Sequence, residues 1–306
     1  MNKPLISIIT PTFNRRDFLE ININSLLNQS YQNFEHIVID GGSTDGTVEL
    51  LKKYESQYNM RWISEPDNGI YDAVNKGIKM AQGEIIAYLN SDDFYFPWTL
   101  EAVALNFTSQ DKILFGDCLI IDTNTLKVKI RIHFQPSKFD YKKMVCYHGL
   151  SLPQPSTFIR RELFEVYGLF DTNFKLFGDL EFWARLGSNN INFRKLSELL
   201  SIVTFHGNNL HLLKEMGNRE KENIKQKYCY RNKKRKYEFL RYIDQFNVRL
   251  ELIKFLLRKD NHKHFKEKFK NINKFILFFI ELLPNRVKFV LNINWIEKKE
   301  IEMFIK

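Results

Sequence analysis

Four short apolar runs in the first 90 residues constrain the fold of this chain more than any other feature. Leu5-Ile6-Ser7-Ile8-Ile9-Thr10 is stopped by Pro11, and Thr12-Phe13-Asn14 leads into a segment with Phe18, Leu19, Ile23, Leu26 and Leu27 at helical spacing. Phe34 to Ile39 is a second strand, ending in Asp40-Gly41-Gly42-Ser43-Thr44-Asp45-Gly46-Thr47 ahead of a helix with Leu50, Leu51 and Tyr54. Met60 to Ser64 is a third, turned by Glu65-Pro66-Asp67-Asn68-Gly69, and Ile70 to Met80 is again helical, with Gly83 as the break. Ile85 to Leu89 is too short for a typical helix and rich in strand formers, so it is a buried strand. It opens into Asn90-Ser91-Asp92-Asp93. Strands alternating with helices of this length require right-handed crossovers and predict an α/β fold with a mixed, mainly parallel sheet flanked by helices. Ligands of such sheets bind beyond the carboxyl ends of the strands. The clusters at 11–14, 40–45 and 90–93 all fall at those ends.

Two adjacent carboxylates where a strand opens into a loop are costly as packing. They suit a hard divalent cation, which takes oxygen ligands and leaves positions for a substrate's phosphates. The plainer alternative is an acidic turn that caps the next helix. The loop at 40–47 carries three glycines and two carboxylates but no basic residue, so it is neither GxGxxG nor a loop ending in GK[ST]. An acidic loop repels phosphate. A nucleotide here would present its base or ribose to Asp40, with its phosphates at the Asn90–Asp93 end, where a metal would offset the charge. Ser43 or Asp45 as a simple helix cap is the competing assignment.

A chain of 306 residues with 44% hydrophobic content can bury one large core or two smaller ones. Cys118, Cys146 and Cys229 are odd in number and far apart, which argues against a disulfide framework and a cysteine-based zinc site and suits a reducing compartment. The N-terminus reads as a strand rather than a signal peptide, and no stretch reaches the roughly 20 apolar residues of a membrane-spanning helix. Charge is uneven. Residues 214–306 hold 25 Lys and Arg against 12 Asp and Glu, a balance of +13, while the remainder carries −3. That asymmetry points the tail, not the whole protein, at an anionic surface.

Several separated motifs carry a resemblance: PTFNR at 11–15, DGGSTDGT at 40–47, SEPDNGIYDAVNKGIKMAQGEIIAYLNSDD at 64–93, STFIRRELFEVYGLFD from 156, and GDLEFWARL ending at 186. Over roughly residues 4–206 the chain resembles glycosyltransferase family 2, most closely its bacterial members that build polysaccharide or lipid-linked oligosaccharide repeats. The resemblance implies a GT-A fold, inverting hexosyl or N-acetylhexosaminyl transfer, and a nucleotide-sugar donor, UDP-linked in preference to GDP-linked. It also implies Mn²⁺ or Mg²⁺. The family's D-x-D falls on Asn90-Ser91-Asp92, making Asp92 the metal ligand with Asp93 beside it. Asn90 departs from the usual Asp and brings no charge. Asp40 takes the nucleobase position, with Pro11, Thr12 and Asn14 lining the same pocket and Asn75, Asn90 and Ser91 completing the nucleotide set. The helix Gly69–Gly77 has no Arg where many relatives carry one. Asp179 takes the position of the catalytic base, with Glu181 as second choice; from spacing alone, Asp179 reads as a helix N-cap. His206, after the last strand, is placed to reach the metal or diphosphate. Gln154-Pro155-Ser156-Thr157 matches a stretch on the acceptor side, with His148 near it. Phe94-Tyr95-Phe96-Pro97-Trp98 is assigned to core beneath the metal loop.

The expected organisation is a catalytic domain at 1–209, its nucleotide-sugar half at 1–93 and acceptor half at 94–209, followed by a basic amphipathic helical extension at 210–306. Basic helices are expected from His211 to Leu257. Lysines around Phe265 and Phe269 beside the apolar run 275–283 suggest a helix lying on an anionic membrane surface, the alternative being a cap on the catalytic domain. The function expected is that of a metal-dependent inverting glycosyltransferase, cytoplasmic and peripheral on the inner face of the membrane, acting on a saccharide or lipid-linked acceptor and not on nucleic acid. A catalytically silent scaffold of a polysaccharide-assembly complex is the alternative from another class. A nucleotidyltransferase is weaker, because Pro11–Asn14 lacks a basic glycine-rich loop.

Overall fold

The structure, a computed structural model, describes residues 3–122, 128–131, 145–146, 152–206 and 214–230. Its first half follows the strand–helix alternation: β1 (Ile6–Thr12), α1 (Arg16–Leu27), β2 (Phe34–Asp40), α2 (Thr47–Tyr54), β3 (Met60–Ser64), α3 (Ile70–Met80) and β4 (Ile85–Tyr88). The second half holds β5 (Asp93–Tyr95), α4 (Thr99–Asn106), β6 (Ile113–Asp122), β7 (Val128–Arg131), β8 (Thr157–Arg160), α5 (Glu162–Tyr167), α6 (Gly178–Ser188), β9 (Phe193–Phe205) and α7 (Lys214–Lys225). The described strands form one sheet in the order β3-β2-β1-β4-β8-β6-β9-β5, with β7 on β6.

Strands β3, β2, β1 and β4 run parallel, and the order reverses direction between β1 and β4. A crevice opens at such a switch point, outside the carboxyl ends of the strands. Beyond β4 the sheet turns antiparallel through β8 and β6. β9 is parallel to β6, and the short β5 returns antiparallel along β9.

Both faces of the parallel half are covered, which explains why its strands are apolar without alternation. Ile8 faces α1 and α4 with Leu26, Leu100 and Val103, while its neighbour Ile9 faces α3 and α6 with Val74, Phe182 and Trp183. α3 lies so close to β1 that a Cβ on Gly77 would meet Ile9 Cγ2 at 2.4 Å. The buried Glu35 on β2 binds this layer together. It accepts hydrogen bonds from Ser7 Oγ, the Gln82 N–H and Arg61 at 2.6, 2.6 and 2.5 Å. Burial pushes its pKa up, but those donors outweigh burial and hold it below the usual range.

Two expectations change. Asp93 is not loop but the first residue of β5, because the aromatic run after it pairs with β9; Phe94, Tyr95 and Phe96 are buried as expected. Cys146 and Cys229, 83 residues apart in sequence, form a disulfide, and the buried Cys118 takes no part in it. An odd cysteine count excludes a fully paired set but not one bridge, and this bridge removes the cysteine-based support for a reducing compartment. Among the described residues no helix is long and apolar enough to cross a membrane. His148 and the tail segments at 263–274 and 275–283 lie outside the described residues.

Candidate active site

The turn after β4 is closed by the Asp93 N–H donating to the Asn90 carbonyl at 2.9 Å. Since β5 places Asp93 opposite Val203, residues 204–206 run alongside the turn. Thr204 Oγ1 donates to the Asp92 carbonyl at 2.6 Å, and His206 Nε2 lies 2.9 Å from Asp92 Oδ2. The Phe18 ring packs on His206 with centroids 4.9 Å apart. Asp92 and His206, 114 residues apart in sequence, thus present a carboxylate and an imidazole to one point.

Asp93 differs from its neighbour. It is buried, its Oδ2 accepts from Asn90 Nδ2 at 3.1 Å, and its Oδ1 faces the Thr204 N–H. Burial, and then the negative charge of Asp92, push its pKa well above the carboxylate range. Asn90 also donates to Gln154 Oε1 at 3.3 Å, and Gln154 in turn donates to the Tyr88 carbonyl. Gln154 and Ser156, expected on the acceptor side, are both buried; Gln154 supports the turn, while Ser156 donates to the Asp117 carbonyl and meets Ser201 Oγ. From beneath, Asn22 Nδ2 donates to the carbonyls of Asn90 and Asp93 at 3.1 and 2.8 Å. The turn is therefore held on three sides by side chains. One acceptor, Asn90 Oδ1, is buried without a hydrogen-bond partner among the described residues.

The donor set bears on the expected metal. Among the described residues no group of three or more His, Cys, Asp and Glu side chains gathers to hold an ion. A carboxylate and an imidazole that face each other fit Mn²⁺, its other positions filled by substrate phosphates and water; Mg²⁺, which takes oxygen ligands, would draw on the carboxylate alone. Asp92 and His206 are the residues that would hold Mn²⁺.

At the ends of β1 and β2 the two polar clusters are stitched together. Asn14, in the left-handed region with φ 50°, donates its N–H to Ser43 Oγ at 2.7 Å and accepts the Thr44 N–H at 2.9 Å. Asp40 is enclosed: it accepts the Ser43 N–H at 3.0 Å, the Ser43 hydroxyl, and the Ser64 hydroxyl at 2.6 Å, and it is 0% exposed. It shapes the loop and offers no open edge in this state. Phe13, unremarked in the sequence, is 58% exposed and lies against Gly41, where a Cβ would also meet Asp67 Oδ2 at 2.7 Å. Pro11, Thr12 and Ser91 are buried around this crevice, and Thr12 Oγ1 has no hydrogen-bond partner among the described residues. Asn75 is engaged elsewhere. Its amide exchanges two hydrogen bonds with the Phe170 backbone, at 2.9 and 3.0 Å, clamping α3 to the segment before α6.

Asp179 lies in the first turn of α6 and does not cap it, since that helix starts from Phe177 with no side-chain cap of its own. Its Oδ1 accepts the Tyr71 hydroxyl at 3.2 Å and the Leu180 N–H at 2.8 Å. Tyr71 is buried on α3, and burial followed by the Asp179 charge pushes its pKa up, so it stays a neutral donor. Tyr88, the last residue of β4, is buried as well, and that burial above all, with the charge of Asp179 adding to it, pushes its pKa well up and keeps its phenol neutral too. Glu181 is 1% exposed and consumed by Arg185 at 2.8 Å, Lys227 at 3.3 Å and the Tyr228 hydroxyl. Of the two acidic residues in this helix, Glu181 is spent on these partners, whereas Asp179 meets Tyr71 at the start of α3.

Residues 7–168 match the model of the family described as Glycosyl transferase family 2. A PGL/p-HBAD biosynthesis glycosyltransferase of Mycobacterium bovis is 29% identical over 194 residues, 62% of this chain and 72% of the relative. TuaG of Bacillus subtilis, a glycosyltransferase with a proposed role in teichuronic acid biosynthesis, is 42% identical over 94 residues, 30% of this chain and 37% of TuaG. Residues 1–349 of S. aureus TarS, solved in complex with UDP, superpose with a TM-score of 0.54 at 22% identity, covering 93% of this chain and 82% of that one. Against the longer TarS chain the coverage falls to 50% of that protein. A mannosyltransferase of Pyrobaculum calidifontis in complex with GDP-Man and Mn²⁺ gives a TM-score of 0.51 at 18% identity, over 67% of this chain and 57% of that one. The fold is GT-A, and the chain is a glycosyltransferase belonging to glycosyl transferase family 2.

Proposed function

We propose that this chain transfers a sugar, with inversion, from a nucleotide-sugar donor to a saccharide or lipid-linked acceptor in bacterial surface polysaccharide biosynthesis, assisted by Mn²⁺ or Mg²⁺. The observation that carries the reading is the pairing of Asp92 with His206 just beyond the carboxyl end of β4, together with Asp179 held by Tyr71 at the start of α3. Relatives named for PGL and teichuronic acid biosynthesis support the polysaccharide setting. Neighbours solved with UDP, UDP-GlcNAc and GDP-Man support the donor class, UDP-linked first.

In this reading the nucleoside lies over the β1–β2 crevice, with Phe13 as an exposed aromatic face for the base and the Asn14–Ser43–Thr44 stitch holding the loop in shape. The diphosphate lies toward Asp92 and His206. A divalent cation there would supply charge stabilisation to the leaving diphosphate. Asp179 takes the proton from the acceptor hydroxyl as that oxygen bonds to C1 and the C1–oxygen bond to the diphosphate breaks; the nucleoside diphosphate leaves. Tyr71 holds Asp179 Oδ1 and keeps the carboxylate aimed. The basic tail, with 25 Lys and Arg against 12 Asp and Glu over 214–306, is proposed to meet an anionic membrane surface; salt-sensitive pelleting with anionic vesicles checks it.

The test is Asp179→Asn. It keeps size and polarity but cannot accept a proton at neutral pH, so turnover of UDP-N-acetylglucosamine or GDP-mannose, whichever the chain consumes, should fall about 10²-fold or more. Nucleotide affinity should hold. Undiminished turnover would overturn the assignment, and a chain that binds nucleotide yet turns over no donor would favour the scaffold reading.

A further inference from the structure

Resting on the assignment of Asp179 as base, we infer that Glu220, on the helix beyond the family-matched residues, is a positioning residue of the active site. The first N–H groups of a helix have no partner within the helix, and their treatment fixes how the chain enters it. Just ahead of α6, three backbone N–H groups of the segment that leads into it, the last from its N-cap residue Phe177, converge on one side chain. Glu220 Oε1 accepts the Lys175 N–H at 2.7 Å, and Oε2 accepts the N–H groups of Leu176 and Phe177 at 3.0 and 2.9 Å. Three consecutive backbone donors end on one carboxylate that is 8% exposed, two residues before Asp179. A negative charge is also stabilised beside a helix N-terminus.

The rest of the segment grips the same place. Lys221 Nζ lies 4.2 Å from the centre of the Phe177 ring, and a Cβ on Gly217 would come within 2.9 Å of that ring. The Leu176 carbonyl accepts the hydroxyl of Tyr71, the residue that also donates to Asp179. One turn along α6, Lys227 and Tyr228 reach the buried Glu181, and Cys229 is bonded to Cys146. The loop 175–177 is therefore fixed by Glu220 from α7 and by Tyr71 from α3, and Asp179 sits at the junction. This extends the catalytic unit through Tyr230, past the boundary at 209 drawn from sequence.

A stabilising cap would affect melting alone; a positioning residue also affects catalysis at temperatures where the protein is folded. The test uses the full chain and the variants E220Q and E220D. Each is assayed for donor turnover with UDP-N-acetylglucosamine and GDP-mannose, nucleotide affinity and melting temperature, below the lowest melting point. E220Q replaces one acceptor oxygen with an NH₂ that opposes the backbone donors, so kcat should fall about 10- to 100-fold, the scale of a misplaced catalytic group. Donor KM should stay within about twofold, because Glu220 holds the backbone of 175–177 and not the 11–14 and 40–45 clusters assigned to the nucleotide. E220D keeps the charge with a shorter reach and should fall between E220Q and the parent. If E220Q does not fold, E220D carries the comparison. Wild-type kcat in a folded variant overturns the proposal, as does a loss shared equally by kcat and nucleotide affinity. D179N separates the two claims. A dead D179N with a fully active E220Q sinks only the positioning role, whereas an active D179N removes the base itself and the role of Glu220 with it.

Discussion

At the residue scale, adjacent carboxylates that look equivalent in sequence are assigned opposite environments. Asp92 meets His206 at the crevice, while Asp93 is buried and drawn toward its protonated form. Asp92→Asn should therefore abolish most turnover and its response to added Mn²⁺, with the melting temperature near that of the parent, because the change is nearly isosteric. Parallel metal titrations of the two proteins check this; equal responses would remove Asp92 from the metal. Much of this site was legible in sequence. Strand-end position singled out residues 11–14, 40–45 and 90–93, and the juxtaposition of His206 with Asp92 follows that reading. Asp40 and Asn75 were legible only as polar groups. Whether such a group faces a ligand or its own backbone depends on partners such as Ser43, Ser64 and Phe170, which no local pattern reveals. Tyr71 and Glu220 were not singled out, because their partners lie 108 and about 45 residues away.

At the element scale, α1 shows why apolar periodicity reads only part of a helix. Leu19, Ile23 and Leu26 pack into the core as their spacing demands, but Asn22, Ser25 and Gln29 are buried as well. Asn22 and Ser25 within the helix and Gln29 just beyond it form a polar stripe whose partners include backbone groups of the 90–93 turn and of the strand and helix after it. Gln29 donates to the Phe96 carbonyl at 2.8 Å and accepts the Leu100 N–H at 3.0 Å, while Asn22 holds Asn90 and Asp93. Buried polar groups that lose a partner cost about 1–3 kcal/mol each in stability. Asn22→Ala should thus destabilise the protein by about 1–3 kcal/mol. It should also weaken turnover by loosening the turn that carries Asp92. Denaturant midpoints together with turnover at a temperature where the variant is folded check both halves. A variant as stable and as active as the parent would show that the stripe is dispensable.

At the scale of the whole molecule, the parallel half follows from its apolar runs and crossovers, whereas the antiparallel half depends on long-range pairing. The junction of β5 with β9 had no local signature beyond its aromatic residues, and the clasp of α7 on α6 had none at all. One buried group makes the stability of this assembly depend on pH. His36 on β2 is 0% exposed, with Nε2 2.8 Å from Thr10 Oγ1 and Nδ1 2.7 Å from the Tyr58 hydroxyl. Both partners are neutral, and burial lowers its pKa from 6.5 to about 3. The folded protein therefore keeps this imidazole uncharged in a range where the unfolded chain takes up a proton. Stability linked to His36 is fully present above pH 6.5 and is lost as pH falls from there toward 3. The slope approaches about 1.4 kcal/mol per pH unit, so roughly 2 kcal/mol should go between pH 7 and pH 5. Carboxylates titrate over the lower part of the same window, so the parent's curve alone does not isolate the histidine. His36→Gln removes the titrating group while keeping a polar side chain for Thr10 and Tyr58, and whatever it does to absolute stability, its curve should be flatter by about 2 kcal/mol over that interval. Urea unfolding of both proteins at pH 7, 6 and 5 measures the difference, and parallel curves would show that His36 gains its proton without cost in the folded sheet.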